Sequence, residues 1–149
     1  MEVYKICRGN YANKLSASGV SNRWNKEDEL VIYTGGTIAL ATLENVAHRA
    51  SINIAKPYKL LRIEIKEQTL IKEISVKQLP KSWSSLEAYI ELQEIGSDWY
   101  QSMGSLVLKV PSAIVSQEFN YVINTKHPLF LSNVVLASVE DWIWDKRLL

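Results

Sequence analysis

The sequence predicts an α+β fold, with mostly antiparallel or mixed sheets and a few short helices. Two observations carry that expectation. Dense β-branched and aliphatic runs outnumber helical patterns, and the distances between them are irregular, unlike the even strand–helix alternation of a parallel α/β sheet. The chain also has 149 residues, 47% of them hydrophobic, with only six Gly and four Pro, which fits a single folded domain over residues 1–149 and no disordered tract.

Residues 3–7 alternate weakly and form a first candidate strand. Residues 9–25 are polar and rich in Ser and Asn, so they read as a loop or an irregular helix. Residues 30–34 are a β-branched and aromatic run stopped by Gly35-Gly36, the pattern of a buried strand and turn. Thr37 is an N-cap candidate for a helix to about Ala50, with Leu40, Leu43, Val46 and Ala47 on one apolar face. Residues 60–65 and, more weakly, 69–76 read as strands. Ser84-Ser85-Leu86-Glu87 matches a capping box opening a helix to about Gln93, and a second short helix is expected around Trp99, after Gly96. Further strands are expected at 106–110, ended by Pro111, and at 121–124, 134–139 and 142–144.

Charge and composition exclude several classes of function. Seventeen Lys and Arg against sixteen Asp and Glu leave no polycationic surface, which disfavours direct nucleic-acid binding. One Cys and two His cannot supply a four-ligand zinc site or an internal disulfide, so no metal is expected. No window resembles a membrane span or a secretory signal, and a cytoplasmic location is the expectation. Phosphate-loop and dinucleotide-turn motifs are absent, as is a nucleophile elbow.

A few residues stand out chemically. Cys7, in a candidate strand, fits a small buried apolar side chain better than a nucleophile. Gly35-Gly36, between a strand and a helix, is either a tight turn or a place where backbone N–H groups approach an anion. Glu44 falls among apolar helix positions and reads as a solvated flank or a buried acid; a buried acid needs partners, for which Arg8, Arg23 and Tyr33 are candidates. The five Trp fit core packing, with Trp24 also placed to line a cleft beside Arg23. His127, before Pro128, fits loop fixation better than base catalysis.

An ordered series of short motifs resembles the RES-domain family over nearly the whole chain. In the first half these are Arg8-Gly9, Leu15-Ser16-Ala17-Ser18-Gly19, Asn22-Arg23-Trp24-Asn25, Val31-Ile32-Tyr33-Thr34 and Leu43-Glu44-Asn45. The second half adds Leu79-Pro80-Lys81-Ser82-Trp83, Ile95-Gly96-Ser97-Asp98-Trp99 and Val110-Pro111-Ser112-Ala113-Ile114-Val115. It continues with Glu118-Phe119-Asn120-Tyr121-Val122-Ile123-Asn124, His127-Pro128 and Asp145-Lys146-Arg147-Leu148. The Arg, Glu and Ser that name the family match Arg23, Glu44 and Ser112. One departure is Ser21-Asn22, where many relatives carry a Gly pair.

The resemblance implies an ADP-ribosyltransferase-like fold and the toxin half of a bacterial toxin–antitoxin pair. Such toxins deplete NAD by cleaving the nicotinamide–ribose bond, passing ADP-ribose to water, to inorganic phosphate or to a protein. It implies NAD as substrate rather than a resident cofactor, and an antitoxin partner with a helix-turn-helix DNA-binding part; a homodimer within that complex stays open. The site residues it implies are Glu44, Tyr33 and Arg23 for catalysis. Arg8, Arg23, Tyr33 and Ser112 are implied for binding, with the arginines on the diphosphate, Tyr33 on nicotinamide and ribose, and Ser112 on ribose or phosphate. The alternatives are a mono-ADP-ribosyltransferase acting on a protein and a catalytically silent interaction module.

Overall fold

The computed structural model describes residues 1–149. Seven strands form one sheet: β1 (Glu2–Arg8), β2 (Val31–Gly35), β3 (Tyr58–Ile65), β4 (Ile71–Glu73), β5 (Val107–Pro111), β6 (Phe119–Asn124) and β7 (Val134–Trp142). Their order is β4-β5-β6-β2-β1-β3-β7, antiparallel throughout except for the parallel β4–β5 pair at one edge. Three α-helices accompany them: α1 (Ile38–Ala47), α2 (Tyr89–Ser102) and the single turn α3 (Phe130–Asn133). The α+β expectation holds.

The sheet has a seam. β1 runs beside β3 over seven residue pairs, from Glu2↔Glu64 to Arg8↔Tyr58, but meets β2 at one pair only, Tyr4↔Gly35. Two half-sheets result, and they fold over one another. Ile32, Val107 and Ile123 of one half share a buried cluster with Val3, Leu61, Ile63 and Ile65 of the other. The outer face of the β5-β6-β2 half carries Val31, Leu108, Val110 and Val122 against Leu92, Trp99 and Tyr100 of α2. The outer face of the other half sets Ile6, Tyr58 and Leu60 against Ala41 of α1 and Trp144. Period-two alternation along β1 therefore sends Val3, Lys5 and Cys7 toward the seam, and Tyr4 and Ile6 toward α1.

Two glycines permit close approach rather than turning the chain. A Cβ on Gly35 would lie 2.8 Å from the backbone nitrogen of Ala41, so α1 packs directly on the end of β2. A Cβ on Gly96 would lie 1.8 Å from the carbonyl oxygen of Trp24, so α2 can press on the loop before β2 only through glycine. Hence α2 runs unbroken through Gly96, where the sequence predicts two short helices. The helix does not open with a capping box at Ser84–Glu87: a 3₁₀ turn over Leu86–Ala88 leads into it, and Ser85 makes no side-chain cap. The reciprocal cap belongs to Ser75 and Gln78 instead. At the C-terminal side β7 is one strand to Trp142, where two were expected, because β3 pairs with it as far as Tyr58↔Trp142.

Candidate active site

A three-lobed cleft opens where β1 and β2 part. The first lobe, about 340 Å³, is lined by Tyr4, Lys5, Tyr33, Glu44, His48 and Asn120 among others. The second, about 450 Å³, lies beneath the loop between β1 and β2, with Lys5, Cys7 and Val31 facing Tyr11, Ser18 and Val20. The third, about 240 Å³, is walled by Arg23, Trp24, Leu86, Tyr89 and Ile114, with Glu44 at its boundary. Asn22 and Tyr33 line all three, and Glu44 is the only carboxylate lining any of them.

Glu44 reaches the cleft because Thr37 starts α1 there, its Oγ1 accepting from the Leu40 N–H at 3.0 Å. The carboxylate is half-buried, and its Oε1 accepts twice: from Ser112 Oγ at 2.9 Å and from Asn120 Nδ2 at 2.5 Å. Oε2 has no partner within the protein. One oxygen is thus anchored to the cleft wall and the other is free for a ligand. Both donors come from the strand pair beside β2, since Ser112 follows β5 and Asn120 sits on β6 opposite Gly35.

Ser112 is fully buried, and its hydroxyl also accepts from the N–H groups of Ile114 (3.0 Å) and Val115 (3.1 Å). It reaches Glu44 but not the cleft, so the contact with ribose or phosphate expected of it is replaced by support of the carboxylate. Tyr33 differs from expectation in the same way. Its hydroxyl donates to Asn25 Oδ1 at 2.7 Å and accepts from the Trp24 N–H at 2.9 Å. Burial pushes its pKa well above the usual phenol value. The hydroxyl is engaged in holding the Arg23 loop, while the ring forms the cleft's central wall.

Arg23 lines the third lobe with its guanidinium 4.7 Å from the Tyr89 ring centroid. Nη1 donates to the carbonyls of Trp83 (3.0 Å) and Ser85 (3.3 Å), tying the loop to the segment before α2. Arg8 is not brought to the site. It is exposed at the end of β1, donates to the Ser51 carbonyl at 3.1 Å, and lines no lobe. Being an odd number of residues from Lys5, it lies on the opposite face of the strand. The cation at the seam is Lys5, which has no hydrogen bond or ion pair and whose pKa burial pushes down. Its signal in the sequence was a lysine between Val3 and Cys7 on one face of a strand. Asn120 was also missed; its signal was an Asn within the apolar run of β6.

The remaining expectations can be placed briefly. Trp24 is buried and lines the third lobe. His127 fixes a loop: Nδ1 accepts from the Leu129 N–H and Nε2 is 3.1 Å from the Met103 carbonyl, which requires the Nε2–H tautomer. Gly36 donates its N–H to the Phe119 carbonyl, leaving that group unavailable to an anion. No group of three His, Cys, Asp or Glu is arranged to hold a metal. No helix is long and apolar enough to cross a membrane.

A lone, anchored carboxylate in an aromatic-walled cleft, with an unpaired cation nearby, suits a substrate that develops positive charge at one end and carries negative charge at the other. The family model for the RES domain matches residues 2–145. The chain belongs to the RES domain family. It is 32% identical over 143 residues to the Prs ADP-ribosylating toxin of Sphingobium sp. (strain YBL2), covering 93% of this chain and 88% of that protein. It is 29% identical over 154 residues to Toxin Res of Yersinia enterocolitica, covering 99% of each. Among solved structures, a chain of the Mycobacterium tuberculosis MbcT–MbcA toxin–antitoxin complex superposes with a TM-score of 0.76 at 15% identity, over 95% of this chain and 84% of that one. That likeness establishes a shared fold.

Proposed function

We propose that this RES domain is the toxin of a toxin–antitoxin pair and depletes NAD by cleaving the nicotinamide–ribose bond. The observation that carries the reading is Glu44, a single carboxylate with Oε1 anchored and Oε2 free in the cleft. Nicotinamide joined to ribose is a cationic pyridinium. When the C1′–N bond breaks, the electron pair goes to the ring nitrogen and neutral nicotinamide departs without a proton. The second carboxylate that glycosidases use as general acid is therefore unnecessary. C1′ is left as an oxocarbenium ion, which a fixed carboxylate stabilises by charge and by accepting a hydrogen bond from a ribose hydroxyl. Water, or inorganic phosphate, then bonds to C1′ and gives up a proton.

NAD is thus a substrate, and no resident cofactor enters the scheme. Names among the relatives support the toxin role, and the neighbouring structure is a complex with an antitoxin. The partner we expect is an antitoxin carrying a helix-turn-helix part, acting with the toxin in the cytoplasm. The test is nicotinamide release by the purified protein given NAD alone, with and without inorganic phosphate. Turnover without a protein acceptor supports the reading; none under either condition overturns it. A second reading, transfer of ADP-ribose to a protein, is favoured by the name of the Sphingobium relative. It predicts nicotinamide release only when an acceptor protein is added.

A further inference from the structure

Asn22 stands where the three lobes join, and its carboxamide can face only one way. Oδ1 accepts from the Arg23 N–H at 2.8 Å and from the Tyr89 hydroxyl at 3.4 Å. A backbone N–H can only donate, so the atom facing it is the oxygen and the NH₂ group points away. That NH₂ has no partner in the protein. The residue is held in place from two sides: its carbonyl accepts from Gln93 Nε2 at 2.9 Å, and its backbone pairs with that of Asn25. Lys5 lines the first and second lobes together with Asn22, and its ammonium is likewise unpartnered. Two unpartnered donors, the held Asn22 NH₂ and the Lys5 ammonium, thus flank the passage between the Glu44 end of the cleft and the second lobe. No carboxylate lines the second lobe to neutralise them.

The geometry points to Lys5 and Asn22 as the seat of the dinucleotide's diphosphate, with the nicotinamide riboside toward Glu44 and the adenosine in the second lobe. This rests on the NAD-cleaving reading. Phosphoryl oxygens accept from both an ammonium and an amide NH₂, and such charge-assisted bonds are the strong ones. The second lobe offers Cys7, Tyr11, Ala17, Val20 and Val31 to an adenine ring and serine hydroxyls to its edge.

The test is calorimetric titration of ADP-ribose, adenosine and inorganic phosphate into the wild type and the variants Asn22→Asp, Asn22→Ala and Lys5→Gln. Asn22→Asp keeps the inward oxygen that Arg23 and Tyr89 require but sets an anion where the NH₂ stood. It is expected to weaken ADP-ribose on the order of 100-fold, and Asn22→Ala and Lys5→Gln about 10-fold each, with adenosine affinity unchanged. Melting curves identify any variant that fails to fold, and the remaining ones decide. ADP-ribose affinity within twofold of wild type in the folded variants overturns the assignment. So does a loss confined to inorganic phosphate, which would place a free phosphate there instead. Wild-type nicotinamide release, measured alongside, separates the two levels: its presence with unaffected variants refutes only this seat, whereas its absence refutes the functional reading and the seat with it.

Discussion

Ser112 Oγ lies 2.9 Å from Glu44 Oε1, across 68 residues of sequence, and the direction of that bond is forced. The N–H groups of Ile114 and Val115 both donate to the hydroxyl, so its one proton has Glu44 as its acceptor. A turn after β5 thereby sets the orientation of a carboxylate on α1. Ser112→Ala is expected to leave two partly buried N–H groups without their hydroxyl acceptor and to cost about 1 kcal/mol of stability. It should also lower kcat for nicotinamide release more than it raises KM. Chemical denaturation and steady-state kinetics on the purified variant check the two parts.

Glu44→Gln separates charge from shape. A glutamine oxygen can accept from both Ser112 and Asn120 as the carboxylate does, so the fold and melting temperature should be close to wild type. Loss of the charge opposite the oxocarbenium ion should slow NAD cleavage by on the order of 10²–10³. Cleavage at the wild-type rate would remove Glu44 from the chemistry.

Tyr33 predicts an alkaline instability. Its folded pKa is raised by burial above the unfolded value of about 10. Its contribution is therefore complete below about pH 10 and is lost as the pH climbs above that value, where the unfolded state ionises and the folded state resists. Tyr33→Phe should flatten this part of the stability curve. At neutral pH it should cost about 1–3 kcal/mol, because the Trp24 N–H and Asn25 Oδ1 lose their partner. Denaturation midpoints at several pH values above 9 on both proteins provide the check.

Gly96→Ala tests the contact between α2 and the Arg23 loop. In an isolated helix the change would be favourable by about 1 kcal/mol. Here the new Cβ would sit 1.8 Å from the Trp24 carbonyl oxygen, so the sign should reverse and the melting temperature fall. The displaced loop carries Asn22 and Arg23, so substrate affinity should fall as well. A variant as stable as the wild type would show that the loop can retreat without penalty.

The strands and the start of α1 were legible because they depend on local chemistry: a β-branched run ending in Gly35-Gly36, and a Thr37 cap that the structure reproduces. Glu44 could be singled out by its position among apolar residues, but its surroundings could not, since Ser112 and Asn120 arrive from the turn after β5 and from β6, 68 and 76 residues away. Arg8 was a candidate and Lys5 was passed over because the strand's period was not applied to β1: only one of the two faces the seam, and that depends on which face of β1 the second half-sheet covers. Gly96 looked like a break because its propensity is poor; tertiary packing against Trp24 overrides that penalty. The same limit applies to Tyr33 and Ser112, whose hydroxyls were assigned to a ligand but are taken by the protein itself.

The single Tyr4↔Gly35 pair bears on how the edges of two inner strands are covered. Beyond that pair β1 and β2 leave strand edges unzipped in the middle of a sheet, and such edges are templates for a foreign strand. Tyr11, Ser18 and Val20 lie over them as part of a polar segment that has almost no regular structure of its own. The segment stands where a pairing strand would otherwise lie, and the space left beneath it has the size of a small molecule rather than of a polypeptide strand.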